Sequence, residues 1–418
     1  MLQSLSIDAM SSKRVARIAV SSLFFLTGLC FSSWASRIPA IQQSLHLSEG
    51  GLGGVLLALP IGSMISMPVA GYLVSRFGSK QVVLVAGIFY AVVLPVLGLV
   101  ATPWQLFAVL MLFGFTGNLA NIAVNTQAVA VEEMYGRSVM ASFHGLWSLA
   151  GFTGAAIGAL MAGQEILPYQ HFLLITVMGV LIVVLSGRHI VPHKEAALKK
   201  ATMSIWERAI RRAKKFVKRW RNPALLARVR YIWAKRKLRI LWPLIILGVI
   251  AFCSMICEGT MFDWSGVYFK KVIKAPDGMA GIGYAAFMST MASFRFIADW
   301  LTTRLGSRRV LQLSGALTAS GLLIAVLLPY FATAIFGFLL VGAGVSSVVP
   351  LVYSAAGKSK SMSAGMALAA VSTIGYLGFL VGPPLIGFVA QASNLSISFS
   401  IIALMGTCIA VMGSRVKA

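Results

Sequence analysis

Twelve apolar runs, each about 20 residues or longer, follow one another along this chain, most of them separated by short polar turns. A helix needs roughly 20 largely apolar residues to cross the hydrocarbon core of a bilayer. The runs fall at about residues 17–37, 51–74, 81–101, 104–131, 139–163, 168–187, 240–267, 280–302, 309–329, 331–356, 363–390 and 396–414, numbered here as spans 1 to 12. Pro and Gly inside several of them are compatible with spanning, because neighbouring helices satisfy the freed backbone groups. Composition agrees that lipid is the solvent. Only 11% of the 418 residues are charged and 58% are hydrophobic, too little polar surface to cover a soluble core of this size. No cleavable leader is expected, since the first run follows Lys13, Arg14 and Arg17 and is long enough to span. The expected fold is therefore an all-α membrane protein with twelve transmembrane helices.

The net charge of +25 is not spread evenly. Between Arg188 and Arg239 lie 18 of the 36 Lys and Arg residues against only Glu195 and Glu207, so this segment carries +16 of the +25. Basic residues in short loops orient spans toward the cytoplasm. With the N-terminus inside, 31 of the 36 basic residues fall on the cytoplasmic side, whereas Arg37, Lys270, Lys271 and Lys274 fall outside and Arg295 lies within a span. The three lysines after span 7 run against the rule. The balance still predicts an even number of spans with both termini cytoplasmic.

The basic segment divides the chain into six spans and six spans: residues 1–187, a linker at 188–239, and residues 240–418. The loop after span 2 reads Ser75-Arg76-Phe77-Gly78-Ser79-Lys80, and the loop after span 8 reads Thr303-Arg304-Leu305-Gly306-Ser307-Arg308-Arg309, with Gly306 lying 306 − 78 = 228 positions after Gly78. Spans 5 and 11 share a glycine pattern, Gly151/Gly154/Gly158 and Gly375/Gly378/Gly382. Small residues at such spacing let helices approach closely. Paired six-helix bundles are the sequence trace of a rocking transporter. Within the linker, Trp206, Ile210, Ala213, Val217 and Trp220 form one apolar stripe among Arg and Lys, an amphipathic basic helix suited to anionic lipid headgroups on the inner leaflet. Nucleic acid is not an expected partner.

The paired basic-Gly-basic loops resemble the signature loop of the major facilitator superfamily, and the likeness covers nearly the whole chain. A closer resemblance is to a bacterial subgroup similar to fucose permease. It is carried by Ser33-Trp34-Ala35-Ser36-Arg37-Ile38-Pro39-Ala40, Phe143-His144-Gly145-Leu146-Trp147-Ser148, Glu258-Gly259-Thr260-Met261-Phe262-Asp263-Trp264 and Gly375-Tyr376-Leu377-Gly378-Phe379-Leu380-Val381-Gly382-Pro383-Pro384. The resemblance implies a monomeric symporter or permease of the bacterial inner membrane, working by alternating access, with spans 1, 4, 7 and 10 lining a central cavity. Two departures stand out. Ser75 and Thr303 replace the acid that usually precedes the loop arginine. In span 4, where fucose-like relatives carry a proton-binding carboxylate, this chain has Asn121-Ile122-Ala123-Val124-Asn125, and Asn does not titrate.

Ionisable groups inside spans are costly in lipid and mark function by default. His144, Glu258, Arg295 and Asp299 are of this kind, with Asp263 nearer the outer end of span 7. Glu258 is the expected protonation or substrate-contact site; the structural alternatives are an ion pair with Arg37 or an acid that stays neutral. His144 is the second candidate for proton relay, with a hydrogen-bonded helix contact as its alternative. Arg295 and Asp299 are i, i+4 and, with Arg304 and Arg76, read either as an intracellular gate or as local ion pairs. Asn118, Asn121 and Asn125 share one helical face and must face a partner helix or a cavity. Trp34, Trp264, Tyr353 and Tyr376 are candidate aromatic faces, alternatively packing or interface residues. Amides beside aromatic rings suit a sugar, a nucleoside or another small polar solute.

Other functions fit less well. The nearest phosphate-loop look-alike, at Gly357-Lys358-Ser359, has Val352 where glycine is needed. Cys30, Cys253, Cys257 and Cys408 sit in apolar runs, and His189 with His193 lacks a third ligand, so neither a metal site, a cofactor nor an enzyme is expected. An exporter of amphipathic compounds is one alternative. Many facilitator exporters carry Gly-Pro in span 5, where this chain has Gly154-Ala155. A non-transporting membrane sensor is the other. Proton coupling and facilitated diffusion both remain open, since any coupling falls to Glu258 or His144.

Overall fold

Every regular element among the described residues is a helix, and Ser48, Thr102 and Asn394 cap the starts of three of them with their side chains. The structure is a computed structural model. It describes residues 2–136, 139–191, 223–276, 278–357 and 364–416, without the side chains of 2–12, 141, 223–241, 299, 357, 364–366, 368 and 369. The amphipathic stripe of the linker, Arg137, Lys358, Lys360, Lys417 and the Asp299 side chain lie outside what is described.

Span 1 is the helix Leu2–Ser44. Span 2 is Glu49–Leu56 continued by Ala58–Phe77. Span 3 is Ser79–Leu97, span 4 Pro103–Tyr135, span 5 Met140–Gly163 and span 6 Pro168–Gly187. Span 7 lies within the long helix Pro223–Lys271, so the linker's basic residues from Arg228 to Arg239 extend this helix rather than preceding it. Pro223 suits a helix start, because its missing N–H is one the first turn leaves unpaired anyway. Span 8 is Ile282–Leu305, span 9 Ser307–Leu327, span 10 Phe331–Val345 with Val348–Gly357, span 11 Ala364–Ala392 and span 12 Leu395–Gly413. Among the described residues, eleven helical stretches are long and apolar enough to cross a membrane. Ile282–Leu305 is as long but carries Arg295, Asp299 and Arg304. The termini and the loops of Arg76, Arg188 and Arg304 share one face, called here the basic face; Glu49, Glu165 and Lys271 mark the opposite, distal face.

The ends of span 4 show how local sequence sets these boundaries. Thr102 and Gln105 form a reciprocal capping box before Pro103, which satisfies two otherwise orphaned N–H groups. Gly136 closes the helix in the left-handed region at φ 65°, where a side chain would be strained.

The two halves pack alike. Span 1 pairs with 5, 2 with 4 and 3 with 6; in the second half 7 pairs with 11, 8 with 10 and 9 with 12. Glycine permits the tightest of these crossings. A Cβ on Gly154 would stand 2.0 Å from Ser32 Oγ, and one on Gly378 would stand 2.5 Å from Phe252 O. Large apolar side chains on the outer faces of spans 3, 6, 9 and 12, such as Phe89, Leu185, Leu313 and Leu404, are exposed, as suits contact with lipid.

The halves meet along spans 5 and 8, spans 2 and 11, and spans 1 and 7. Span 11 packs on Glu49–Leu56, the distal part of span 2, and barely on Ala58–Phe77. A Cβ on Gly53 would lie 2.7 Å from Pro383 O, and Lys271 Nζ reaches Glu49 Oε1 at 2.6 Å. The halves therefore close at the distal face and part between spans 2 and 11 toward the basic face.

Candidate functional site

Glu258 lies mid-way along span 7 and points to the interface between the halves. Arg295 of span 8 donates from Nη2 to Glu258 Oε1 at 3.2 Å and from Nη1 to Ser148 Oγ at 2.7 Å. Ser148, on span 5, in turn donates a hydrogen bond to the carbonyl of His144 at 3.2 Å. One guanidinium thus ties the acid of the C-terminal half to a hydroxyl of the N-terminal half. The side chains of Arg295 and Glu258 are only 16% and 9% exposed. Either charge alone would cost several kcal/mol to bury there, and the contact between the two offsets that cost while both charges stay in place.

An aromatic cluster lies on the distal side of this pair. Phe262, one turn beyond Glu258, meets Phe31 at 5.1 Å, Trp147 at 6.1 Å, Phe287 at 5.9 Å and Phe379 at 6.4 Å between ring centres. These rings come from spans 1, 5, 7, 8 and 11, so both halves build the seal. On the basic side, one turn below Ser148, His144 is exposed and sets its ring edge-on to Phe24 at 5.4 Å. Tyr353 and Tyr376 are half-buried within electrostatic range of Glu258, and Tyr353 shares a hydrogen bond with Ser372. The arrangement offers a solute an acceptor, a donor fork, hydroxyls and ring faces under an apolar roof.

The Major Facilitator Superfamily model matches residues 20–280 and 267–416. The chain belongs to the Major Facilitator Superfamily. An uncharacterized MFS-type transporter of Yersinia pestis is 31% identical over 394 residues, which span 93% of this chain and 92% of that protein. An enterobactin exporter, EntS of Citrobacter koseri, is 28% identical over 149 residues, 34% of each chain. In fold, the nucleoside transporter NupG superposes with a TM-score of 0.72 at 12% identity, covering 96% of this chain and 100% of that one. The helices, the two-half architecture and the membrane setting are those of a facilitator transporter, a class without enzymes.

Within this facilitator the expected site residues separate. Glu258 pairs with Arg295, His144 lies within electrostatic range of Arg295, and Tyr353 and Tyr376 lie within electrostatic range of Glu258. Glu258 does not pair with Arg37, which is buried and donates to the carbonyl of Ile166. Asn118 turns away to span 2, donating to Ser63 O at 2.9 Å and Ser66 Oγ at 2.7 Å. Asn125 donates to the carbonyl and side-chain oxygens of Asn121 at 2.8 and 2.9 Å, and both amides remain half-exposed. Trp34 and Trp264 are fully buried in the core. Asp263 is half-buried within electrostatic range of Tyr284. Arg76 is exposed, lies over the rings of Tyr72 and Phe77 and bonds the Tyr72 hydroxyl. Arg304 lies over Trp300 at 5.5 Å. Arg295 donates to Glu258 and Ser148 in the centre, and the Asp299 side chain, its expected partner at a gate or in a local ion pair, lies outside what is described.

Sequence reasoning passed over Ser148 and the ring cluster. A signal was present for both. Ser148 is i+4 from His144 and Phe262 is i+4 from Glu258, so each shares a face with a residue already singled out.

Proposed function

We propose that this facilitator moves a small polar solute, sugar-like or a related metabolite, by alternating access through a central site built on Glu258 and Arg295. The observation that carries this reading is the Arg295 bridge, which joins Glu258 of one half to Ser148 of the other. When the halves rock, the contact between spans 5 and 8 must change, and Arg295 then exchanges Ser148 for another partner. A solute or a proton at Glu258 enters that exchange. The shape, closed at the distal face, is a state open to the cytoplasm if the basic loops obey the positive-inside rule. In this reading both termini are cytoplasmic and the protein acts as a monomer in the inner membrane. The halves are residues 1–187 and 240–418, and the 188–239 linker rests on anionic headgroups.

Transport measured in right-side-out and inside-out vesicles, with and without a pH gradient, tests the reading. Uphill movement driven by the proton gradient in wild type and lost in Glu258→Gln is the expected result for coupling. Uphill movement retained in full by Glu258→Gln removes that residue from the coupling site. Export is the second reading, favoured by the partial likeness to the enterobactin exporter; accumulation only in inside-out vesicles would support it.

A further inference from the structure

Arg37, at the distal end of span 1, is only 2% exposed. It donates to the backbone carbonyl of Ile166, while its Nε–H has no partner among the described residues. It also joins no carboxylate among them. The neighbouring spans 5 and 6, Met140–Gly163 and Pro168–Gly187, contain no acid, Glu165 in the turn between them is exposed, and Asp263 of the adjoining span 7 forms no ion pair with Arg37. A buried lysine or histidine could shed its charge; a guanidinium cannot. A buried charge without a counter-charge is among the costlier things a fold can hold.

Two further unpartnered donors lie on the adjoining turns of spans 1 and 6. His171, on the first turn of span 6, is fully buried within electrostatic range of Arg37, and both of its ring nitrogens lack partners. In either neutral tautomer one of those nitrogens is a donor. Ser33 lies one turn before Arg37 on the same face of span 1, and its buried hydroxyl is also unpartnered. Spans 1, 5 and 6 come together here: a Cβ on Gly158 would meet both Ser36 Oγ at 2.0 Å and His171 Cε1 at 3.4 Å. Water would satisfy the donors but leave the charge unanswered. We propose that Arg37, His171 and Ser33 bind a small monovalent anion, with chloride as the abundant candidate, inside the N-terminal half. The site is separate from Glu258 and Arg295 and does not depend on the transport reading.

Radiolabelled chloride binding to the purified full chain, by scintillation proximity in gluconate buffer at constant ionic strength, tests this directly. Wild type should show saturable binding, and its melting temperature should rise with chloride relative to gluconate, because a ligand that binds only the folded state stabilises it. Arg37→Met should fold, lose the binding and lose the chloride-dependent shift. His171→Leu should weaken binding by about tenfold, the loss of one hydrogen bond to an ion. Absence of saturable binding in wild type overturns the proposal and leaves water as the occupant. So does undiminished binding in Arg37→Met, or in His171→Leu where Arg37→Met is not recovered folded.

Discussion

Gly78 and Gly306 occupy matching turns of the two halves with nearly the same backbone angles, φ 83° and 78° with ψ 150° at both. Spans 5 and 11 likewise place a glycine against the backbone or a serine of spans 7 and 1. Yet Glu258 and Arg295 have no charged counterparts: shifted by the 228 residues that separate the two loops, they fall on Cys30 and Met67. The N-terminal half contributes Ser148, Trp147 and His144, and the C-terminal half contributes the charges. On the proposed mechanism, the repeat supplies the two bodies that rock on each other. The asymmetry supplies a site that neither body holds alone, and the Arg295 bridge is where the two meet.

The sharpest way to break this contrast is to remove the charge that only one half carries. Glu258→Gln leaves Arg295 buried with a neutral partner. It should lower solute transport at least tenfold and destabilise the protein by about 3–5 kcal/mol, measured by uptake and by melting. Adding Arg295→Met to that variant should recover most of the stability and none of the transport, since it removes the unpaired charge but not the deficit in recognition. A Glu258→Gln protein as stable as wild type would show the pair to be solvated.

Where the halves repeat, matched changes should cost alike. Gly154→Leu and Gly378→Leu each force a side chain into a crossing closed to it and should each cost about 1–3 kcal/mol, read as parallel drops in melting temperature. A large effect in one half and none in the other would break the symmetry of packing. Ser148→Ala removes the contribution of the N-terminal half to the bridge while Arg295 keeps Glu258. It should cost about 0.5–1.5 kcal/mol and reduce transport severalfold. Smallest of all, Arg76→Ala loses an exposed stacking contact worth about 0.5–1 kcal/mol and should leave the melting curve almost unchanged.

The sequence carried the fold in unusual completeness because lipid imposes a simple code. Each span must be apolar and long, so the helices could be counted by eye, and the repeated loops aligned the halves before any contact was visible. Glu258 was legible for the same reason, as an acid deep in an apolar run. Its partner was not. Local spacing offered Asp299 to Arg295, one turn away on the same helix, whereas the guanidinium reaches across to spans 7 and 5, and nothing in the order of residues encodes that reach. Asn118 illustrates the converse. It shares a stripe with Asn121 and Asn125, yet it donates to Ser63 and Ser66 of span 2 one to two turns nearer the distal end, while Asn125 donates to Asn121. The helix of span 7 begins at Pro223, seventeen residues before the expected 240, because Arg and Lys are good helix formers and Pro223 supplies a start.

The measurement that most directly tests a two-bodied transporter uses the distal seam. Ser48 and Gln391, one on each half, approach to 3.5 Å. Cysteines at both positions, oxidised in proteoliposomes, should cross-link the halves in the state described here. A solute found by melting screens of sugars, nucleosides and related metabolites then reports exchange by counterflow. Alternating access predicts that the cross-link stops counterflow and that reduction restores it. Counterflow that continues through the cross-linked protein would contradict it.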